Sequence, residues 1–282
     1  MDIRKNGKQK GHAWAGDLDT PTEASLKCLG LLLEETKIDK LKIRAVFATT
    51  NPLTIDGKAS EESLTEAFLK RAGLDDEIKI SDDTWGCGGP AVGVDSMNSW
   101  LQNQPLGTYA LYVTQDWSTK MVEDRNVEAL FSDAVSVSLW TNNSDGMFEI
   151  KKIFSDSSTI SDEALGIIDG FWKMDGGEVS AQASLVPDLA SKKLNINLRD
   201  YDIVPHQPNA KLLETMEKIY GVPFHKEIAE MYGNPTCSGV FIALEKVLED
   251  RSGGIGLNID KDILVIPFGA GGVGGFILSD KK

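Results

Sequence analysis

Short apolar runs alternate with helical segments along the chain, and this alternation constrains the fold more than any other feature. Runs that we interpret as buried strands lie at 44–50, 78–81, 109–114, 134–140, 201–205, 263–268 and 275–278. Apolar spacing, caps and closing glycines predict helices at 22–36, 60–72, 91–101, 210–220 and 237–248. The polar stretch 141–200 should hold a hairpin and a helix. Strands that alternate with helices favour an α/β architecture with mixed, buried sheets.

The second half of the chain repeats the order of the first half. Each half, 1–150 and 151–282, runs through a strand, a helix ending in glycine, a glycine-polar turn that opens a helix, and then strand, turn and strand. Cys87 and Asn234 occupy the same position in this order. A repeat of this kind indicates a duplicated unit, and we expect the two helix-opening turns to meet in the middle of the molecule.

Charge and composition argue against several classes of protein. The 282 residues carry a formal net charge of −14, which opposes nucleic acid or an anionic membrane as a general partner. No apolar run reaches the ~18 residues that a membrane helix needs. The polar start shows no secretory signal, so a cytoplasmic location is expected. Three widely spaced cysteines without a C-x-x-C pair indicate neither a disulfide framework nor a zinc site, and no metal is expected.

Cys87 lies in the segment W-G-C-G-G-P, between a predicted strand and a predicted helix. The N-terminus of a helix favours a thiolate through its unpaired N–H groups and its dipole. The neighbouring glycines allow a sharp turn and leave room for a substrate carbonyl. Cys87 is therefore a candidate nucleophile. The alternative is a small buried apolar residue, which is our interpretation of Cys28 and Cys237.

Two polar side chains in the second half are candidates for the same site. His206 ends an apolar strand, where α/β proteins place working residues, and its imidazole can donate to a carbonyl oxygen or move a proton near neutral pH. Asn234 lies at the second helix opening, and its carboxamide can donate to a thioester or enolate oxygen. The alternatives are a hydrogen-bonded structural histidine and a turn or N-cap asparagine.

A glycine-rich segment, 268–275, follows the strand predicted at 263–268. Glycine-rich turns often bind phosphate, but no clear helix follows this one, so it fails the context of the dinucleotide-binding pattern and NAD is not expected. A backbone N–H that faces an oxyanion is a better use of the segment. The alternative is a tight turn between two strands.

Four motifs, in this order along the chain, resemble those of β-ketoacyl-acyl-carrier-protein synthase III and its thiolase-superfamily relatives. Asp82 lies five residues before Cys87, as in the family's F-D-x-x-x-x-C-x-G. The segment 203–209, I-V-P-H-Q-P-N, is similar to I-P-H-Q-A-N, and 233–238, G-N-P-T-C-S, is similar to G-N-T-S-A-S. The glycine-rich end resembles the family's F-G-G-G turn. The resemblance covers most of the chain from about Thr22 to Leu278.

This resemblance implies a thiolase-like fold of α-β-α-β-α layers built from two similar halves, with a Cys-His-Asn active site. Cys87 would attack an acyl thioester and hold the acyl group, while the N–H groups of Cys87 and Ala270 stabilise the oxyanion. His206 and Asn234 would bind the carbonyl of a malonyl-type second thioester. Its decarboxylation would give a carbanion that attacks the acyl-enzyme.

The resemblance also implies substrates and partners. Arg125 matches an arginine that contacts coenzyme A, Asn209 matches a position lining the same tunnel, and Lys211 matches a basic residue that docks acyl carrier protein. No cofactor is implied, because acyl-coenzyme A or acyl carrier protein thioesters are the substrates. The family is commonly dimeric, so a homodimer, or a heterodimer with a related subunit, is expected to act in fatty acid or polyketide biosynthesis.

Several departures from the family pattern leave other outcomes open. The family begins with a strand and helix that this chain largely lacks, which gives a shortened N-terminus. Trp85 precedes the nucleophile where small residues are usual, which would shrink the acyl pocket, and Ala270 replaces a glycine. The alternatives are a hydroxymethylglutaryl-coenzyme A synthase type using Glu61 or Glu62 as acid or base, an acyltransferase to oxygen or nitrogen, and a non-catalytic partner subunit.

Overall fold

The helices and strands alternate as the sequence predicts. The computed structural model describes residues 20–50, 64–74, 77–116, 131–144, 146–156, 165–168, 171–252, 261–270 and 272–280. The helices are α1 (Pro21–Thr36), α2 (Leu64–Ala72), α3 (Gly89–Gln102), α4 (Gly176–Ala183), α5 (Val186–Leu194), α6 (Ala210–Tyr220), α7 (Glu227–Tyr232) and α8 (Gly239–Ser252). The strands are β1 (Ile43–Thr50), β2 (Lys79–Trp85), β3 (Tyr109–Asp116), β4 (Ala134–Thr141), β5 (Phe148–Asp156), β6 (Leu165–Ile168), β7 (Phe171–Met174), β8 (Asp202–Pro205), β9 (Ile263–Ile266), β10 (Phe268–Gly269) and β11 (Gly272–Asp280).

The first sheet has the strand order β2-β1-β3-β4. Strands β1, β2 and β3 are parallel, and β4 runs antiparallel to β3. The carboxyl ends of the three parallel strands therefore lie along one edge of the sheet, which is where ligands usually bind in parallel α/β sheets.

The second sheet repeats this pattern of pairing. Its order is β10-β11-β9-β8, with β5 on the other side of β11. Strands β8 and β9 are parallel and β11 is antiparallel to β9, as β1, β3 and β4 are in the first sheet. Strand β5 begins at Phe148 and pairs with β11. The division of the chain into halves 1–150 and 151–282 stays a prediction.

Three layers of helices enclose the two sheets. Helices α3 and α8 lie between the sheets, where Val94 and Met97 of α3 and Val240 of α8 pack with residues of both sheets. Helices α1 and α2 cover the outer face of the first sheet, and α4, α5 and α6 cover the outer face of the second. These are the five α-β-α-β-α layers that the family resemblance implies.

Local signals explain which predicted boundaries hold. Helix α6 spans the predicted residues because Asn209 caps its start and Gly221, with φ of 64°, ends it. The strand predicted at 263–268 is broken at Pro267, which has no N–H to donate to a neighbouring strand. Helix α8 begins at Gly239 because residues Thr236–Ser238 form a 3₁₀ turn instead.

The stretch 141–200 contains more structure than the hairpin and single helix that we predicted. The hairpin is β6 paired with β7, and two helices, α4 and α5, follow it. Strand β5 precedes the hairpin and pairs with the last strand of the chain. Its polar sequence gave no sign of this pairing, because its partner lies more than a hundred residues away.

Candidate active site

Cys87 lies between β2 and α3, at the edge where the parallel strands of the first sheet end. It is 5% exposed. The turn around it approaches the glycine-rich segment so closely that side chains are excluded at several positions. A Cβ atom on Gly88 would lie 1.8 Å from the carbonyl oxygen of Gly272, and one on Gly269 would lie 2.6 Å from the Cβ of Cys87. The glycines therefore allow two backbone segments to meet at the sulfur.

Asn234 faces Cys87 from the second half of the chain. Its Oδ1 accepts a hydrogen bond from the N–H of Thr236 at 2.9 Å, and its side chain lies close enough to the thiol of Cys87 to lower the pKa of that thiol. Its carbonyl accepts from the N–H of Ser132 at 2.9 Å, which ties it to the first half. Asn234 is thus both the turn residue that we named as the alternative and a direct neighbour of the nucleophile candidate.

His206 follows β8 directly and is 2% exposed. Its backbone N–H donates to the carbonyl of Ile266 at 2.8 Å. Its imidazole ring stands edge-on to the ring of Phe268, with 5.3 Å between the two ring centroids. Burial lowers the pKa of His206 to about 3, so the imidazole is neutral at pH 7. Its Nδ1 atom is buried with no hydrogen-bond partner in the part of the chain that the structure describes, which leaves it available to a ligand or water.

The segment Phe268-Gly269-Ala270 brings the predicted residues together. Phe268 contacts the imidazole of His206, and the next residue, Gly269, lies against Cys87. The carbonyl of Ala270 accepts from the N–H of Gly88 at 2.8 Å, and Ala270 is buried. Cys87 and His206 therefore both lie against one short segment, and Ala270 adjoins the nucleophile turn.

Gln207 fixes His206 relative to the helix that precedes Asn234. Its buried carboxamide makes three hydrogen bonds, to the carbonyls of Pro205 and His225 at 2.8 Å each and from the N–H of Ala229 at 3.2 Å. Ala229 lies in α7, which ends two residues before Asn234. A fully bonded buried amide of this kind gives both segments a unique geometry.

The electrostatic environment keeps the Cys87 thiol protonated. Burial raises its pKa most, the nearby carboxylate of Asp116 raises it further, and the backbone N–H of Cys87 and the side chain of Asn234 act in the opposite direction. The backbone N–H of Cys87 does favour the thiolate, in the expected direction, but burial and the Asp116 carboxylate outweigh it. The N–H of Gly88, at the start of α3, is already bonded to Ala270. The thiol must give up its proton when it reacts.

Asp116 was missed in the sequence analysis. It ends β3 and is fully buried. Its carboxylate accepts from the N–H and hydroxyl of Ser238 and from the thiol of Cys237, each at 2.9 Å. Burial raises its pKa to about 6, against these hydrogen bonds. The strand that we predicted stops at Thr114, and extending it by two residues would have placed an acidic side chain at a strand end.

The remaining predicted site residues cap a helix, lie exposed, or fall outside the residues that the structure describes. Asn209 caps α6, with its Oδ1 accepting from the N–H of Leu212 at 2.8 Å. Lys211 is exposed in the first turn of the same helix, and Asp82 is exposed on β2. Three positions lie outside the described residues: Glu61, Glu62 and Arg125. The substrate-binding roles of Asn209, Lys211 and Arg125 stay predictions.

Neither a membrane-spanning helix nor a metal-binding cluster is found among the described residues. Within those ranges, no helix is long and apolar enough to cross a membrane. In the same part of the chain, no group of three or more His, Cys, Asp or Glu side chains is arranged to hold a metal ion.

The order of helix and sheet layers in this chain is that of the thiolase-like fold. No family model matches the chain. Its sequence is similar to β-ketoacyl-[acyl-carrier-protein] synthase III 1 of Streptomyces coelicolor, with 24% identity over 303 residues, 95% of this chain and 84% of the relative. This similarity confirms the resemblance to β-ketoacyl-acyl-carrier-protein synthase III that the motifs indicate.

Solved structures confirm the fold. The β-ketoacyl-[acyl carrier protein] synthase III of Thermus thermophilus superposes with a TM-score of 0.79 at 19% identity, covering 97% of this chain and 88% of that one. OleA of Xanthomonas campestris, solved with bound lauric acid and lauroyl-CoA, superposes with a TM-score of 0.77 at 16% identity, covering 95% and 84%. The thiolase-like architecture was therefore predicted correctly.

Proposed function

We propose that this protein is a condensing acyltransferase that forms an acyl-Cys87 intermediate from an acyl thioester and condenses it with a malonyl-type thioester. The observation that supports this function best is that the buried Cys87 thiol has the Asn234 side chain as a neighbour and lies against the same short segment as His206. A nucleophile and a hydrogen-bond donor that share one buried site suit acyl transfer between thioesters. The similarity to β-ketoacyl synthase III agrees with this chemistry.

The first step transfers the acyl group to the protein. The Cys87 sulfur attacks the thioester carbonyl carbon, and the N–H groups of Cys87 and Ala270 bind the oxyanion. The bond between the acyl carbon and the donor sulfur then breaks, and the departing coenzyme A thiolate takes up the proton that Cys87 releases.

The second step forms a carbon–carbon bond. His206 and Asn234 donate hydrogen bonds to the thioester carbonyl oxygen of the malonyl group, and loss of carbon dioxide leaves the electron pair as an enolate stabilised by those bonds. The enolate carbon attacks the acyl carbonyl, the bond to the Cys87 sulfur breaks, and the thiolate regains a proton. Burial strengthens the two hydrogen bonds, because little water competes for the oxyanion.

Acyl loading separates this function from its alternatives. The protein is incubated with acyl-coenzyme A, and mass spectrometry of peptides locates the adduct; we expect it on Cys87 and not on Cys28, whose Cys28→Ala variant is a matched control. Addition of malonyl-coenzyme A should then release carbon dioxide and clear the adduct. An adduct cleared only by alcohols or amines would indicate acyl transfer to oxygen or nitrogen, and absence of an adduct with every donor would indicate a non-catalytic subunit.

The proposed function also specifies the substrates, the residues that bind them, and the location and assembly of the protein. The donor is an acyl-coenzyme A, and the extender is a malonyl thioester of coenzyme A or of acyl carrier protein. Lys211, exposed on α6, contacts that carrier, while Arg125 and Asn209 contact coenzyme A. No cofactor takes part. The protein acts in the cytoplasm, as a homodimer or with a related subunit. Its product enters fatty acid or polyketide synthesis. Its two sheets are the cores of two similar halves of the chain.

A further inference from the structure

The buried carboxylate of Asp116 takes no part in the reaction above, although it lies at the centre of a hydrogen-bond cluster next to the site. It accepts from the N–H and hydroxyl of Ser238 and the thiol of Cys237, each at 2.9 Å, and from the hydroxyl of Thr236. All three partners belong to the single 3₁₀ turn Thr236–Ser238. Asp116 comes from the first sheet, so one carboxylate holds a turn that lies more than a hundred residues later.

The turn that Asp116 holds is strained. Thr236 has φ of 34°, a left-handed conformation that β-branched residues rarely adopt. Such a conformation persists only where the surroundings over-determine it, and the carboxylate of Asp116 supplies that constraint at all three residues of the turn.

The same turn sets the direction of the Asn234 carboxamide. The N–H of Thr236 donates to the Oδ1 of Asn234 at 2.9 Å. With Oδ1 fixed in this way, the amide N–H₂ group is directed elsewhere, and the Asn234 side chain is a neighbour of the Cys87 thiol. A continuous set of hydrogen bonds therefore runs from Asp116 through the turn to Asn234, which adjoins Cys87.

We propose that Asp116 is a positioning residue, which through the turn Thr236–Ser238 aims the Asn234 carboxamide at the reacting atoms. The inference rests on the proposed function, because it assigns Asn234 to the second thioester. Asp116 has two effects of opposite sign on Cys87. Its negative charge opposes ionisation of the thiol, whereas positioning Asn234 favours the thiolate. The two effects can be separated experimentally.

A double-mutant cycle tests whether Asp116 acts through Asn234. The rate at which malonyl-coenzyme A discharges pre-formed acyl-enzyme is measured for the wild type, Asp116→Ala, Asn234→Ala and the double variant. Asp116→Ala should slow this step by about 100-fold, the typical cost of misplacing a positioned group, with much less effect on acylation. In the Asn234→Ala background the same change should have little further effect. An equal loss in both backgrounds would overturn the inference.

A second cycle does not depend on condensation. The pKa of Cys87 is obtained from the pH dependence of its alkylation by iodoacetamide, with the modified cysteine identified by mass. Asp116 and Cys237 are the described titratable groups that interact with Cys87 electrostatically, so all proteins carry Cys237→Ala. Asp116→Ala should lower the pKa of Cys87 more when Asn234 is already alanine, because only the charge effect then remains. Equal shifts would contradict positioning even if the protein proved not to be a condensing enzyme.

Two further variants distinguish the loss of the Asp116 hydrogen bonds from unfolding of the protein. Asp116→Asn keeps an acceptor oxygen for the turn and should retain more of the condensation rate than Asp116→Ala. Asp95→Asn is the matched control, since the Asp95 carboxylate accepts from the Ser155 hydroxyl at 2.7 Å on another element. If Asp116→Ala does not fold, Asp116→Leu, which fills the space but offers no acceptor oxygen to the turn, replaces it in both cycles. If the condensation rate of this Asp116 variant matches that of the Asp95→Asn protein, and its effect does not depend on Asn234, Asp116 does not position Asn234.

Discussion

Replacing Gly269 by alanine tests the close approach on which the site depends. Gly269 has φ of 140°, and a Cβ atom there would lie 2.6 Å from the Cβ of Cys87 and 3.6 Å from its sulfur. The change inserts a single carbon beside the nucleophile without altering charge or hydrogen-bonding groups. It should therefore damage acylation through geometry alone.

The expected loss of stability has two parts. An alanine forced into a positive-φ conformation costs ~1–3 kcal/mol, and an extra carbon in a filled position costs a further ~1–3 kcal/mol. The free energy of unfolding should fall by the sum, about 2–6 kcal/mol, which is tolerable in a domain with ~5–15 kcal/mol of stability. Gly107→Ala is the control, because Gly107 has φ of 85° but no described atom within 4 Å of the added carbon.

Urea unfolding and acyl loading are measured on both variants. Gly107→Ala should lose only the conformational part of the stability and should form the acyl-Cys87 adduct normally. Gly269→Ala should be less stable than Gly107→Ala, and its folded fraction should acylate slowly. If Gly269→Ala matched Gly107→Ala in stability and loaded at the wild-type rate, Gly269 would not lie against Cys87 in solution.

Three further predictions concern His206 and one remote asparagine. His206→Ala should reduce condensation more than acylation in single-turnover assays, and equal losses would show that the division of roles is wrong. The pKa of His206 is about 3 when folded and ~6.5 when unfolded, so the unfolded chain binds the extra proton between these values. Urea unfolding should therefore show stability falling by up to ~1.4 kcal/mol per unit as pH drops from 6.5 towards 3. The slope should weaken in His206→Asn, and an unchanged slope would mean that the histidine is not buried. Asn142 makes five hydrogen bonds to backbone groups in the last turn of α3 and the loop that follows it. Asn142→Ala should therefore cost ~1–3 kcal/mol of stability while acylation of the folded protein stays unchanged. A loss of acylation instead would place that loop in the site.

The parts of the fold that follow from local signals could be predicted. The helix at 210–220 has an asparagine cap and a closing glycine, and the structure has it at those residues. The strands at 109–114 and 134–140 are rich in apolar residues, and they pair with each other in the first sheet. The polar strand β5 carries no such pattern and forms because β11 offers it a partner.

The sequence singles out Cys87, His206 and Asn234 as candidate site residues, but it gives no information on the electrostatics around them. Cys87, His206 and Asn234 stand out because each follows a strand or opens a helix in a recognisable motif. The state of the Cys87 thiol depends instead on burial and on Asp116, and neither is visible in the sequence around Cys87. Cys237 was correctly expected to be buried, but its bond to Asp116 depends on a chain crossing that only the tertiary structure supplies.

The most direct measurement of the central claim is a stoichiometric single turnover with isotopically labelled malonyl-coenzyme A. Protein that has been charged with acyl groups is freed of excess donor, and mass spectrometry then follows the Cys87 peptide while released carbon dioxide is counted. We expect each acyl group that leaves Cys87 to be matched by one molecule of carbon dioxide and one product extended by two carbons. Carbon dioxide released without discharge of Cys87, or acyl groups found on Cys28 or Cys237 instead, would contradict it.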